Sequence, residues 1–196
     1  MNKREYMPKL LEYLGCSNDA KAVRDSGISL YDLFETQDQT LILTQGISEK
    51  AIEIMNLTAA LNSRRITDKF KIGKNYLQNE LIDYLIALFY GVKIERIYAL
   101  GLSDDGKLLC VEPLGDGTVN TSAVLPRRIT ECLSKVGATK VILAHNHPLG
   151  RAENSTHDIA FTAEIRSVLI NAGIELLHHY VVAGFEISDC LDGTIN

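Results

Sequence analysis

Three residues in the second half of the chain have side chains that bind metal ions: His145, His147 and Asp158. The histidines are separated by one residue, so in an extended segment both imidazoles point to the same side, because strand side chains alternate faces. Two imidazoles and a carboxylate are the donors of a catalytic zinc site, which leaves its fourth position to water, whereas a structural zinc takes four protein ligands. The spacing therefore predicts a zinc hydrolase.

The neighbouring sequence indicates which elements position these residues. The apolar run 141–144 leads directly into His145 and predicts a buried strand that ends at the histidines. A helix is predicted from Ser155 to about Ala172, so that its first turn brings Asp158 back toward them. Residues 155–158 also fit a capping box, in which Ser155 and an acidic side chain satisfy free amides at the helix start. The capping box needs no metal, but it leaves the histidines unexplained.

The same residues match a known motif. His-x-His-Pro-x-Gly, with seven residues between the second histidine and Ser-x-x-Asp, resembles the JAMM metalloprotease motif, also called JAB or MPN. The sequence from about 75 to 190 is similar to the bacterial RadC branch of that family. This similarity rests on further matches at Gly117-Thr118, Pro126-Arg127-Arg128, Thr162, Gly173-Ile174 and His179. The chain departs from the branch at three positions that are not metal ligands: Leu149, Asn154 and His178.

The resemblance implies a metallopeptidase or isopeptidase with one zinc ion per chain, held by His145, His147 and Asp158. The expected partner is a protein or peptide substrate. Zinc lowers the pKa of its bound water from 15.7 to about 7, which makes hydroxide available at neutral pH. A separate base must still accept the proton.

For this base the resemblance implies a glutamate at the start of the strand that opens the domain, and Glu95 is the matching residue. Glu112 and Glu131 are the other candidates. The resemblance also places Ser155 as a hydrogen-bond donor to the oxygen that becomes negative during amide hydrolysis. The predicted catalytic residues are therefore Glu95 and Ser155.

The order of predicted elements indicates an α/β fold. Helices are predicted near 77–90, 126–136 and 155–172, and strands at 95–102, 107–111, 140–144 and 174–182, the first two forming a hairpin. The resemblance implies a JAB/MPN-type curved mixed sheet flanked by helices, with a cytidine deaminase-like architecture. A deaminase itself is disfavoured, because the His-x-Glu and Pro-Cys-x-x-Cys signatures are absent.

Three segments are predicted: a small helical unit at 1–66, a basic linker at 67–74 and the metal-binding domain at 75–196. By resemblance, the first is a degenerate helix-hairpin-helix-like unit in which Ser48 replaces the second glycine. An alternative function follows, that of a DNA-associated protein, either a binding module linked to DNA repair or a metal-dependent nuclease. Its contacts would come from the basic residues Arg64, Arg65, Lys69, Lys71 and Lys74. Residues 1–75 hold 11 basic and 10 acidic side chains, a net of +1, which is slight for phosphate binding.

The composition, with 46% hydrophobic residues, is typical of a soluble globular protein. No apolar run follows the basic start, so neither a secretory signal nor a membrane segment is expected, and a cytoplasmic location is predicted. The four scattered cysteines are expected to be reduced thiols. His178 and His179 are adjacent on a predicted strand and face opposite sides, so they are predicted as core or edge histidines and not as a second metal site.

Overall fold

The computed structural model describes residues 5–27, 45–116, 124–148 and 151–191. The chain divides into two compact units, Met1–Arg65 and Ile66–Asn196. The described helices that begin in the first unit are α1 (Tyr6–Tyr13), α2 (Ser17–Ser26) and α3 (Glu49–Lys69). Buried apolar side chains of this unit, Leu11, Ile47 and Met55 among them, form a core of their own.

The second unit is a mixed α/β domain. Its described elements are α4 (Gln78–Phe89), β1 (Arg96–Leu102), β2 (Leu108–Asp116), α5 (Val124–Lys135), β3 (Lys140–Asn146), α6 (Thr156–Asn171), β4 (Glu175–Ala183) and β5 (Glu186–Asp189). The five strands form one sheet in the order β2-β1-β3-β4-β5. Within it β3 and β4 are parallel and the other neighbours are antiparallel. The predicted α/β class, a mixed sheet flanked by helices, is confirmed.

Both faces of the sheet are buried. On one face, Val141 and Leu143 of β3 belong to the apolar cluster that includes side chains of α5 and α6. On the other, Ile142 and Ala144 belong to the cluster formed with α4. Because residues 141–144 of the central strand meet a core on both faces, they read as a continuous apolar run instead of an alternating one.

Helix α6 connects the two parallel strands. A chain that leaves the carboxyl end of β3 must cross back over the sheet before it can enter β4 in the same direction. The first turn of α6 therefore lies at the carboxyl end of β3, and its last turn lies near the start of β4. This connection brings residues at the end of β3 to residues at the start of α6.

The predicted order of helices and strands in this domain is confirmed, with one element missed. Strand β3 continues two residues beyond the predicted end, through Asn146. Gly173 adopts a left-handed conformation, with φ of 72°, and follows α6 as predicted. The missed element is β5, which is four residues long and joins β4 through a tight turn at Gly184. So short a strand carries too few alternations to be read from sequence.

The segment 67–74, predicted as a linker, is structured. Helix α3 continues to Lys69, whose ammonium group lies 3.0 Å from the Glu80 carboxylate. Further on, the Gly73 amide donates to the Leu108 carbonyl at 2.7 Å, and the Leu108 amide donates to the Lys74 carbonyl at 2.9 Å. The segment is therefore attached to the start of β2. Residues 28–44, which contain the middle of the predicted helix-hairpin-helix-like unit, lie outside the described residues.

All four cysteines are free thiols, as predicted. In the part of the chain that the structure describes, no helix combines the length and the apolar character needed to cross a bilayer.

The core packs closely around Gly101 in β1, which predicts that a larger side chain there lowers stability. A Cβ added there would lie 2.8 Å from Cys110 Sγ and 2.9 Å from Leu133 Cδ2, both inside the core. We expect Gly101→Ala to lower the free energy of unfolding by about 1–3 kcal/mol, because the core must shift to admit the methyl group. Urea denaturation measures this change. Gly115→Ala in β2 is the control, since a Cβ there meets no described atom within 4 Å; equal losses in both variants would contradict the account.

Candidate metal centre

The carboxyl end of β3 positions both histidines. His145 lies in the strand and is buried, with its imidazole on the α6 side of the sheet together with Leu143. His147 follows the strand, and its backbone amide still donates to the Val182 carbonyl at 2.8 Å. The segment therefore stays extended, and both imidazoles project to one side. Their Nε2 atoms are 3.1 Å apart.

The start of α6 supplies the carboxylate. Ser155 caps the helix: its hydroxyl accepts from the Asp158 amide at 3.1 Å, and the Asp158 Oδ2 atom accepts from the Ser155 amide at 2.8 Å. The predicted capping box is thus confirmed. The other carboxylate oxygen, Oδ1, lies 3.1 Å from His145 Nε2. One carboxylate therefore caps the helix and faces the histidines at the same time.

These three side chains form a group that could hold a metal ion. Their potential ligand atoms all lie within 4.8 Å of one another. The His145 and His147 Nε2 atoms are 3.1 Å apart; Asp158 approaches His145 with Oδ1 at 3.1 Å and His147 with Oδ2 at 3.6 Å. Ligands about 2.05 Å from a tetrahedral zinc ion are separated from each other by about 3.3 Å. The donor types and their spacing fit an ion of that size.

The His147 ring has a fixed outer partner. Its Nδ1 atom lies 3.2 Å from the Arg151 carbonyl oxygen, which can only accept, so Nδ1 bears the hydrogen and Nε2 of the neutral ring keeps its lone pair. Partners of this kind orient metal-binding histidines. The pKa of His147 is raised, chiefly by its hydrogen bond to Asp158, while burial opposes the shift and the charge of Glu95 adds to it.

The Asp158 carboxylate is ionised at neutral pH. Burial would raise the pKa of this carboxyl, but its contacts with His145, His147 and Ser155 together outweigh burial and hold the pKa well below its usual range. A carboxylate must be deprotonated to bind a metal ion. The electrostatics of the group thus favour the protonation state that a metal site requires.

Glu95 lies beside the group but is not one of its three members. Strands β1 and β3 are antiparallel, with Ile97 opposite His145. Glu95 precedes Ile97 by two residues, as His147 follows His145 by two. Its side chain is half-buried. The two carboxylates whose charges act on His147 are those of Asp158 and Glu95.

The other two glutamates lie elsewhere. Glu112 pairs with Ala99 on the far side of β1, and its charge acts on the thiol of Cys110, whose pKa is raised mainly by burial. Glu131 is on α5, where it forms an ion pair with Arg127 at 2.7 Å. These contacts give Glu112 and Glu131 partners that do not belong to the histidine–carboxylate group.

Asn146, between the two histidines, holds the segment that carries Glu95. The asparagine is buried, and its Oδ1 atom accepts from the Arg96 amide at 2.8 Å. Its Nδ2 group donates to the Ile94 carbonyl at 3.1 Å and to the Val92 carbonyl at 3.3 Å. Asn146 therefore fixes the backbone on both sides of Glu95.

Several residues support the group in a way that was not predicted from the sequence. His179 is completely buried, and its Nε2 atom lies 3.0 Å from His145 Nδ1. Asp189, in the missed strand β5, contacts His178 Nδ1 at 2.6 Å and accepts from the His179 amide at 3.2 Å. The Asn154 side chain donates to the Asp189 carbonyl at 3.0 Å and so ties the loop before α6 to β5. The resemblance had already singled out His179 and Asn154, but the partners of His179 depend on the β4 register, which the sequence does not reveal.

The fold and the site together define a mixed α/β domain with a potential two-histidine, one-carboxylate metal centre at the end of a central strand. Residues 74–189 match the model of the RadC-like JAB domain family. A UPF0758 protein of Photobacterium profundum is 30% identical over 160 residues, which cover 81% of this chain and 71% of that protein. A UPF0758 protein of Legionella pneumophila strain Lens is 37% identical over 112 residues, 57% of this chain and 46% of that protein.

This chain belongs to the RadC-like JAB domain family. The resemblance stated from the sequence is thereby confirmed. A UPF0758 protein of Photorhabdus laumondii is also similar, with 30% identity over 156 residues that cover 79% of this chain and 67% of that protein. The match to the Legionella protein covers about half of the length of that protein.

Asn146 gives a prediction about local order. Asn146→Ala leaves the Arg96 amide and two carbonyls without their partner. We expect a loss of about 1–3 kcal/mol in the free energy of unfolding, since all three hydrogen bonds of a buried side chain are removed. Hydrogen exchange at the Arg96 amide should accelerate more than at Leu100 in the same strand. Equal acceleration at both amides would show that Asn146 does not act locally.

Proposed function

We propose that the domain is a zinc-dependent hydrolase of amide bonds, a metallopeptidase or isopeptidase. In this proposal His145, His147 and Asp158 hold one zinc ion per chain. The observation that supports it most is the grouping of their potential ligand atoms, all within 4.8 Å of one another and with the two Nε2 atoms 3.1 Å apart, at the end of a buried strand. Membership of a JAB-type family adds support.

Bound zinc would lower the pKa of a water molecule from 15.7 to about 7 and polarise the substrate carbonyl. In our proposal Glu95 is the base that accepts the proton and passes it to the departing amine. The action of the Glu95 charge on His147 favours this role. Asn146 fixes the backbone around Glu95 and so restricts where its carboxylate can reach.

Ser155 is proposed as the donor to the developing oxyanion. In the structure its hydroxyl contacts the Asp158 Oδ2 atom at 2.5 Å, and because a carboxylate oxygen only accepts, the hydroxyl donates this bond. To serve the oxyanion, the O–H group must rotate away from Asp158. The hydroxyl oxygen can still accept from the Asp158 amide after that rotation, so capping and catalysis are compatible.

Metal analysis tests the site. Protein purified without chelator should contain about one zinc ion per chain, as three protein ligands and a water predict. His147→Ala should lose most of this zinc, because one of the three ligands is removed. His157→Ala is the matched control, since His157 lies on α6 and is exposed. A wild-type protein without zinc, or a His147→Ala variant that keeps it undiminished, would overturn the proposed site.

Glu95→Gln tests the reaction. We expect it to retain zinc but to reduce amide hydrolysis by about 10²–10⁴-fold, the usual contribution of a general base. A proteome-derived peptide library, analysed by mass spectrometry before and after incubation, provides the assay. Glu112→Gln should remain active, because Glu112 lies away from the histidines. If the wild-type protein cleaves and Glu95→Gln cleaves equally well, Glu95 is not the base; if chelation unfolds a wild-type protein that cleaves nothing, the zinc is structural.

A further inference from the structure

A buried chain of hydrogen bonds runs behind His145, on the side away from the potential metal. His145 Nδ1 lies 3.0 Å from His179 Nε2. On the other side of that ring, His179 Nδ1 lies 2.6 Å from the Thr162 hydroxyl oxygen. The Thr162 hydroxyl in turn donates to the backbone carbonyl of Asp158 at 2.6 Å. Both His179 and Thr162 are buried, at 0% and 3% exposure, so water does not compete for these bonds.

The backbone carbonyl of Asp158 determines which atom donates in each hydrogen bond of this chain. A carbonyl oxygen can only accept, so the Thr162 hydroxyl must use its single hydrogen on this contact. Toward His179 the same hydroxyl can then only accept. His179 Nδ1 must therefore bear a hydrogen and donate it to Thr162.

The same assignment of donors and acceptors extends through His179 to the metal-facing nitrogen of His145. His179 is completely buried, and its ring nitrogens are bonded to the Thr162 hydroxyl and to His145, neither of which is a carboxylate that could balance a charge on the ring. The ring is therefore neutral, and its Nε2 atom has no hydrogen. That atom accepts from His145 Nδ1, which must then be protonated. In a neutral His145 ring the lone pair consequently lies on Nε2, the atom 3.1 Å from both His147 Nε2 and Asp158 Oδ1.

We propose that Thr162 and His179 are positioning residues that hold His145 in the tautomer able to bind a metal ion. This inference rests on the proposed zinc site. The chain of bonds starts at the Asp158 backbone and ends where His145 faces the Asp158 side chain. Helix α6, which supplies the proposed ligand Asp158, therefore also determines which ring nitrogen of His145 carries the hydrogen.

Thr162→Val is the first test, because valine keeps the shape of threonine and removes the hydroxyl. Without its acceptor, the His179 ring is free to move its hydrogen to Nε2 and donate to His145. This leaves the hydrogen of His145 on the metal-facing nitrogen. We expect zinc affinity, measured by competition with a chromophoric chelator, to fall by about 10–100-fold.

Two further variants control this result. Thr162→Ser keeps the hydroxyl, and its zinc affinity should lie within about threefold of the wild-type value. This change is much smaller than the loss expected when the outer partner of a metal ligand is removed. Thr130→Val removes a helix threonine whose hydroxyl bonds the carbonyl at position 126 in the same way but which does not contact the histidines. Its zinc affinity should be unchanged.

A second measurement tests the direction of the bonds without metal. Nitrogen-15 NMR of the zinc-free wild-type protein at pH 8 should show hydrogens on Nδ1 of both His145 and His179. Thr162→Val should shift both rings toward the Nε2-protonated form. If the wild-type rings carry their hydrogens on Nε2, the inference is wrong, and this result does not depend on whether any variant folds.

The two proposals fail in different ways. If the wild-type protein binds no zinc, the proposed function is lost, while the NMR tautomers still decide the hydrogen-bond chain. If the wild-type protein binds zinc and Thr162→Val binds it equally, with the His145 tautomer unchanged, the positioning role is overturned and the zinc site stands.

Discussion

The structure depends on satisfying a group of polar side chains that are buried at the end of β3. A carboxylate or imidazole without a hydrogen-bonding partner in such a place costs several kcal/mol, so each must be satisfied by a neighbour. His145, Asp158, Thr162 and His179 are all at most 7% exposed. Each has a hydrogen-bonding neighbour, since His145 and Thr162 bond His179, and Asp158 bonds Thr162 and Ser155. This requirement fixes the relative positions of β3, α6 and β4, because one element cannot move without leaving a polar group of another unpaired.

The connection between the parallel strands β3 and β4 makes that arrangement possible. It brings the start of α6 to the end of β3, where ligands from two elements can meet. The same feature explains why Asp158 has two roles. Its Oδ2 atom completes the helix cap with Ser155, and its Oδ1 atom faces His145. A side chain held by the cap loses less rotamer entropy when an ion binds, so the capping box prepares the carboxylate for a metal.

Much of this site could be read from the sequence, and what could not has a physical reason. The motif identified His145, His147 and Asp158, because a spacing of two on a strand and a cap on a helix are local properties. The role of His179 is not local. It depends on the parallel register, in which His179 lies opposite Leu143, and on a register shift between Val141 and Ile142 that breaks simple alternation. The support from Asn146 was missed because it acts on the backbone of a neighbouring strand.

The central claim is that the end of β3 and the start of α6 build one zinc site. Anomalous diffraction from zinc-loaded crystals, recorded on both sides of the zinc absorption edge, tests it most directly. The account predicts a single strong peak about 2.0–2.2 Å from His145 Nε2, from His147 Nε2 and from a carboxylate oxygen of Asp158. A peak at other side chains, with none at these three, would contradict it.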